Sequence, residues 1–197
     1  MKAKMKTKNE IKRGFTLVEA LVAISILMLA VTGPMVVAQK GLFSAISSKD
    51  QMIAAFLAQD AIEYIKNVRD SNGVKVKIPG ETLPNGWLSG LGVECIKETF
   101  EPNEIIDPGC NVDTLNNGIL GSINPQMCVR RENDNFLGYG IVGDSKCSLP
   151  SKFSRYIKIK RINDADEAYV DVLVKWGEGS DQRFEVGSYI YNYWGDL

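Results

Sequence analysis

The run from Phe15 to Ala38, FTLVEALVAISILMLAVTGPMVVA, is the strongest constraint on what this chain can fold into. It is 24 residues long and holds one formal charge, Glu19. About 20 apolar residues in helical form cross the hydrocarbon of a bilayer. A stretch of this kind must therefore end in lipid or against other protein. Ahead of it, residues 1–14 hold Lys2, Lys4, Lys6, Lys8, Lys12 and Arg13 against Glu10 alone, a sum of +5, and since the whole chain sums to −1 the remainder carries −6. A basic front before an apolar run is the positive-inside pattern of a membrane-directed segment.

Helical patterning continues behind the apolar run. Ile46, Ile53, Leu57, Ala61, Tyr64, Ile65 and Val68 recur at three- and four-residue steps, with Lys49, Asp50, Gln59, Asp60 and Lys66 between them. Ser71-Asn72-Gly73 reads as the stop. The spacing predicts one helix of roughly 55 residues, apolar all round in front and amphipathic behind. Gly33-Pro34 predicts a kink or a locally melted turn, because proline lacks a donor and crowds the preceding turn; Gly41 is a second weak point.

The C-terminal segment reads as sheet. Phe153–Ile162, Ala168–Trp176 and Arg183–Trp194 are separated by NDADE and GEGSD, and Val170, Val172, Val174 and Trp176 alternate with Asp171, Leu173 and Lys175. Period-two alternation between turn signals predicts a meander of three antiparallel strands with one apolar face. The amphipathic half of the helix is the available cover for that face. The expected class is α+β. The expected organisation is a leader at 1–14, a hydrophobic helix at 15–38, an amphipathic helix at 39–71, an irregular region at 72–152 and the meander at 153–197. The irregular region is rich in Gly, Pro and Asn, with only short β-like pieces such as those at 74–78 and 92–97.

Composition narrows the chemistry. The chain is 45% hydrophobic and 24% charged, ordinary for a folded protein. It has no histidine, which removes the commonest general base, Ser-His and Cys-His nucleophile pairs and most catalytic zinc sites. The acidic remainder does not neutralise phosphates, so nucleic acid is not an expected partner. No catalytic residue and no cofactor is expected. Cys95, Cys110, Cys128 and Cys147 all follow the apolar run; their spacings of 15, 18 and 19 include no close pair of the zinc type. Two disulfides are expected, in one of three connectivities, with the sequence-local pairing 95–110 and 128–147 preferred. Asp164, Asp166 and Glu167 are read as turn residues rather than calcium ligands. Tyr189, Tyr191, Tyr193 and Trp194 are read as core and edge packing rather than an adhesive edge.

Arg13-Gly14-Phe15-Thr16-Leu17-Val18-Glu19 resembles the cleavage motif of type IV pilins and type II secretion pseudopilins. In that family a basic leader ends in Gly, Phe opens the mature chain and Glu stands fifth in it, which here is Glu19. FSRYIKI, VDVLVKW and SYIYNYW look like the sheets of minor pilins of the pilus modification type and of the small minor pseudopilin. The resemblance implies cleavage by prepilin peptidase between Gly14 and Phe15, N-methylation of Phe15, insertion in the inner membrane with the C-terminal domain outside the cytoplasm, and assembly with other pilins on an inner-membrane platform. Physical chemistry bears on the same residues. A carboxylate in an apolar helix costs about 2.5–3.5 kcal/mol on insertion scales and calls for a partner. Cleavage creates one, the α-amine of Phe15, four residues from Glu19. The competing reading is an ordinary signal peptide, cut after Ala38 at Val36-Val37-Ala38 or retained as an anchor, ahead of a binding domain. Glu19 inside the apolar run and the amphipathic helix that follows directly oppose it.

Overall fold

A computed structural model describes residues 14–84, 86–92, 95–97, 110–114, 118–120, 126–132, 135–142, 147–163, 166–177 and 182–193. The chain divides into two compact units, Met1–Ser48 and Lys49–Leu197. A helix, α1, runs from Leu17 to Val76, 60 residues. Three expectations are corrected along it. It starts at Leu17, so Phe15 and Thr16 precede it. Gly33 and Pro34 lie inside it, and the melted turn is absent, because proline removes a single donor and the winding resumes on both sides. Ser71-Asn72-Gly73 does not stop it. Asn72 is buried and its Nδ2 donates to the carbonyls of Trp87 (3.0 Å) and Ser89 (2.6 Å), so tertiary contact overrides the local stop signal. The left-handed glycine past the helix end is Gly80, at φ +93°. The β-like reading of 74–78 fails with it, since Val74–Val76 is helix.

In the second unit α1 buries Ala54, Leu57, Ala58, Ala61, Ile62, Ile65 and Arg69, spaced as one helical face. Ala54, Ala58 and Ala61 are wholly buried in the core cluster that this face shares with the sheet. Among the described residues the sheet holds six strands, five of them on its antiparallel path, rather than three. These are β1 (Ile96–Lys97), β4 (Gln126–Glu132), β5 (Asn135–Ile141), β6 (Cys147–Asn163), β7 (Glu167–Trp176) and β8 (Gln182–Tyr191), while β2 (Asn111–Asp113) and β3 (Gly118–Leu120) form a separate pair. The antiparallel path runs β5-β4-β6-β7-β8, and β1 lies parallel to β6 at Ile96 and Ile159. The expected meander is β6 to β8, with Ile157 opposite Val172 and Val172 opposite Val186. Residues of β7 alternate between buried and half-buried along its whole length.

The added strands lie in the region expected to be irregular. β4 and β5 carry Arg130, Arg131, Gly138 and Gly140, and a register shift interrupts them between Arg130 and Arg131, which hides the period-two pattern. Gly140 is needed for a close approach, since a Cβ there would stand 2.7 Å from Arg130 Nε. Pro150 sits in β6 where pairing is with β4 alone; the partnership with β7 begins at Ser154. The cysteines form the sequence-local pairs, Cys95–Cys110 and Cys128–Cys147, with Cα separations of 5.4 and 5.6 Å. The second joins neighbouring strands β4 and β6. The first holds β1 to Cys110, whose carbonyl accepts from the Ile157 amide at 2.9 Å.

Arg155 ties these parts together. Its side chain is 1% exposed. Nε donates to Asn111 Oδ1 (2.8 Å), Nη1 to the Leu57 carbonyl (2.8 Å) and Asp60 Oδ2 (3.2 Å), and Nη2 to the Val112 carbonyl. One guanidinium thus joins α1, β6 and β2. Burial lowers its pKa, and the Asp60 charge opposes that shift. Arg155→Ala should therefore destabilise the second unit by about 3–5 kcal/mol, as loss of one member of a buried polar network does. Asp60→Asn should have a smaller effect, because that carboxylate is half exposed. Urea denaturation followed by circular dichroism measures both, and equal losses would contradict this account.

Candidate functional site

The front of α1 concentrates the residues singled out by the sequence. Thr16 caps the helix: its carbonyl accepts from the Ala20 amide at 3.1 Å and its hydroxyl from the Glu19 amide at 3.3 Å. Thr16-Leu17-Val18-Glu19 thus has the Thr-x-x-Glu spacing of a capping box. Glu19 stands in the first turn, where the positive end of the helix dipole favours a carboxylate. Phe15 lies just outside, 74% exposed. Gly14 faces open space; a Cβ there would meet nothing within 4 Å. Packing does not require glycine at 14.

Behind this point the surface is apolar and uncovered. Apart from Ala20, residues 14–46 are exposed, and Leu21, Ile24, Leu27, Met28, Val31 and Phe43 are among the large side chains facing outward. α1 is long and apolar enough to cross a membrane. Two polar side chains on this stretch are satisfied by the helix itself. Ser25 and Thr32 donate back to the carbonyls of Leu21 (2.8 Å) and Met28 (2.9 Å), which suits an environment without water. Glu19 has no ion-pair partner among the described residues. It is the one charge between Phe15 and Ala38.

Residues 11–33 match the family model of the prokaryotic N-terminal methylation motif. That motif is the hallmark of type IV pilins and pseudopilins. With a long N-terminal helix followed by an antiparallel sheet, the fold is pilin-like as well. The motif and the apolar helix together point to prepilin-type processing and membrane anchoring. Neither the curated proteins nor the solved structures hold a match to the chain.

The motif brings Gly14, Phe15 and Glu19 together, while Gly33 and Pro34 lie further along the same helix. The four cysteines serve the second unit instead. Of the residues weighed for calcium, Asp164 lies outside the described residues. The Asp166 carbonyl accepts from the Asn192 amide at 2.8 Å, and Glu167 pairs with Tyr191 in the sheet. Among the described residues no cluster of three or more His, Cys, Asp or Glu could hold a metal. The aromatic end is corrected in part. Tyr189, Tyr191 and Tyr193 are exposed rather than in the core, because Ile190 takes the inner position; Trp194 lies outside the described residues. Their rings pack along the edge, Tyr169 with Tyr189 at 4.9 Å and Tyr191 with Tyr193 at 6.2 Å.

Thr16 is the site residue that sequence reasoning missed. Its signal is the Thr-x-x-Glu spacing, in which Glu19 serves both the cap motif and the charge pattern. Thr16→Val should fray the first turn at a cost of about 0.5–2 kcal/mol, and Thr16→Ser should restore it. Hydrogen exchange at the amides of residues 18–20 in detergent micelles reads the difference. Equal protection in the valine variant and the wild type would reject the cap.

Proposed function

We propose that this chain is a structural subunit, a minor pilin or pseudopilin, cut by prepilin peptidase after Gly14 and N-methylated on Phe15. It enters the inner membrane as a single span with its C-terminal domain outside the cytoplasm. From there it joins other pilins in a type IV pilus-like or secretion pseudopilus filament, and it performs no catalysis itself. The observation that carries this reading is the methylation motif set on an apolar helix that carries a single carboxylate one turn in. The unrestrained Gly14 supports it: a Cβ there would meet nothing within 4 Å, so packing leaves the position free for recognition by a peptidase. The signal-peptide reading places a cut between Ala38 and Gln39, and helix continues through both residues.

Before cleavage the nitrogen of Phe15 is an uncharged amide. Cleavage turns it into an α-amine, cationic at neutral pH, and methylation keeps that charge. Phe15 precedes the helix, so the one-turn pairing within a chain requires the helix to extend over it. A neighbour's amine requires no such extension. Glu19 is then the acceptor for an incoming subunit, and the pair sets axial register between the two.

Mass spectrometry of protein from cells with a prepilin peptidase should find a chain starting at methylated Phe15. Gly14→Val should block the cut by crowding the scissile position. A mature start at Gln39 would overturn the pilin reading. Glu19→Val should insert and be processed normally, since it removes a charge from the apolar run. Its presence in sheared filaments should fall sharply, because an unpaired buried amine costs about 3–5 kcal/mol. Glu19→Asp should be intermediate. Wild-type incorporation of Glu19→Val would refute the charge-pair mechanism while leaving the processing result intact.

A further inference from the structure

β8 ends the antiparallel path of the sheet and pairs with β7 over ten rungs without a register shift. In such a ladder every second residue turns its N–H and C=O away from the paired neighbour. Among the described residues no other strand takes up those outward groups of β8. Edges of this kind are ordinarily guarded by shortness, proline, bulges or inward-pointing charges. β5, at the opposite end of the path, is seven residues long and its ladder is interrupted by a register shift. β8 is longer, regular and free of proline, and residues 186–191 carry no charge. Of the two edges, β8 is the unguarded one.

We propose that β8 accepts an extended segment of a partner protein as an added antiparallel strand. The backbone selects the form of the occupant, because only an extended chain meets the open ladder groups at their own repeat. The side chains select its pattern. Phe184 and Val186 pack against the core cluster yet stay half-buried at the edge. Apolar residues level with them on an incoming strand complete that burial. On the exposed row Arg183 stands opposite Lys175, a like charge, and Glu185 opposite Leu173. Lys175 already lies over the Tyr156 ring, 5.3 Å from its centre. Neither Arg183 nor Glu185 has an ion-pair partner among the described residues. An acidic residue level with Arg183 and a basic one level with Glu185 complement this row. Read along an antiparallel strand, the occupant is basic, apolar, acidic at successive positions within an alternating segment. The edge has this form whether or not the chain enters a filament.

The test mixes the full chain, in detergent micelles, with the synthetic peptide Thr-Val-Thr-Val-Lys-Val-Asp and follows amide hydrogen exchange by NMR. In the free chain alternate amides of β8 should exchange at least tenfold faster than those of β7. Excess peptide should slow them at least tenfold and leave β5 unchanged. Protection of those amides in the free chain, protection at β5, or equal binding of a peptide of the same composition without alternation would overturn the proposal. So would protection that grows with protein concentration alone, which marks pairing of β8 between two copies. Arg183→Glu should match the wild type in thermal unfolding, since the side chain is exposed. It should bind the peptide at least tenfold more weakly, and replacing the peptide's Asp by Lys should restore binding. Equal binding of the two peptides to Arg183→Glu would reject the charge register and with it the proposed occupant.

Discussion

The apolar surface of the front half of α1 finds no cover within the first unit, and the organisation of the chain follows from that. Residues 15–38 expose a side-chain surface that water does not tolerate, and only lipid or another protein can cover it. The back half of the same helix obeys the opposite rule: Ala54, Ala58, Ala61 and Ile65 are wholly buried against the sheet. One continuous secondary structure thus serves two solvents. The change of environment is written in side chains rather than in backbone, since the helix is unbroken from Leu17 to Val76. Gly33-Pro34, the strongest break signal in the segment, is therefore accommodated within the helix.

The second unit stands on its own core. Its buried cluster draws on α1 from Ala54 onward, on the turn holding Trp87 and Leu88, and on β2, β4, β6, β7 and β8. Arg155 is the polar element at its centre, and every donor group it presents meets an acceptor. A guanidinium that reaches a helix carbonyl, a strand carbonyl and an amide oxygen fixes their relative positions in a way apolar packing alone does not. The Cys95–Cys110 bridge acts at the less regular side, where β1 and β2 are short and contribute few ladder bonds, while Cys128–Cys147 ties β4 to β6.

What could be read in the sequence depended on period and on locality. The helix and the strands β6 to β8 show clear 3.6- and 2-residue patterns, and their existence was legible. The ends were not. Asn72 bonds to residues fifteen and seventeen positions away, and no local rule for Asn-Gly anticipates that. β4 and β5 escaped notice because glycines, arginines and a register shift erase the alternation. Of the site, Gly14, Phe15 and Glu19 were legible because their spacing is a motif. The Thr16 cap was legible in principle but overshadowed.

Glu19 has two physical roles on this helix, and they operate at different stages. In the precursor it is a first-turn carboxylate, favoured by the helix dipole and by the Thr16 cap beside it. That lets a charge sit near the end of an apolar segment, close to the interface, at less expense than at the bilayer centre. In the proposed cleaved chain the same carboxylate would be the counter-charge for an α-amine. The two roles compete for one side chain only if the amine belongs to the same chain and the helix extends over Phe15. If the amine comes from a neighbour, the cap can persist, with the Glu19 amide held by Thr16 while the residue stays exposed. With Phe15 outside the helix, the proposed charge pair can form with a neighbour's amine without extending the helix, whereas pairing within one chain needs that extension.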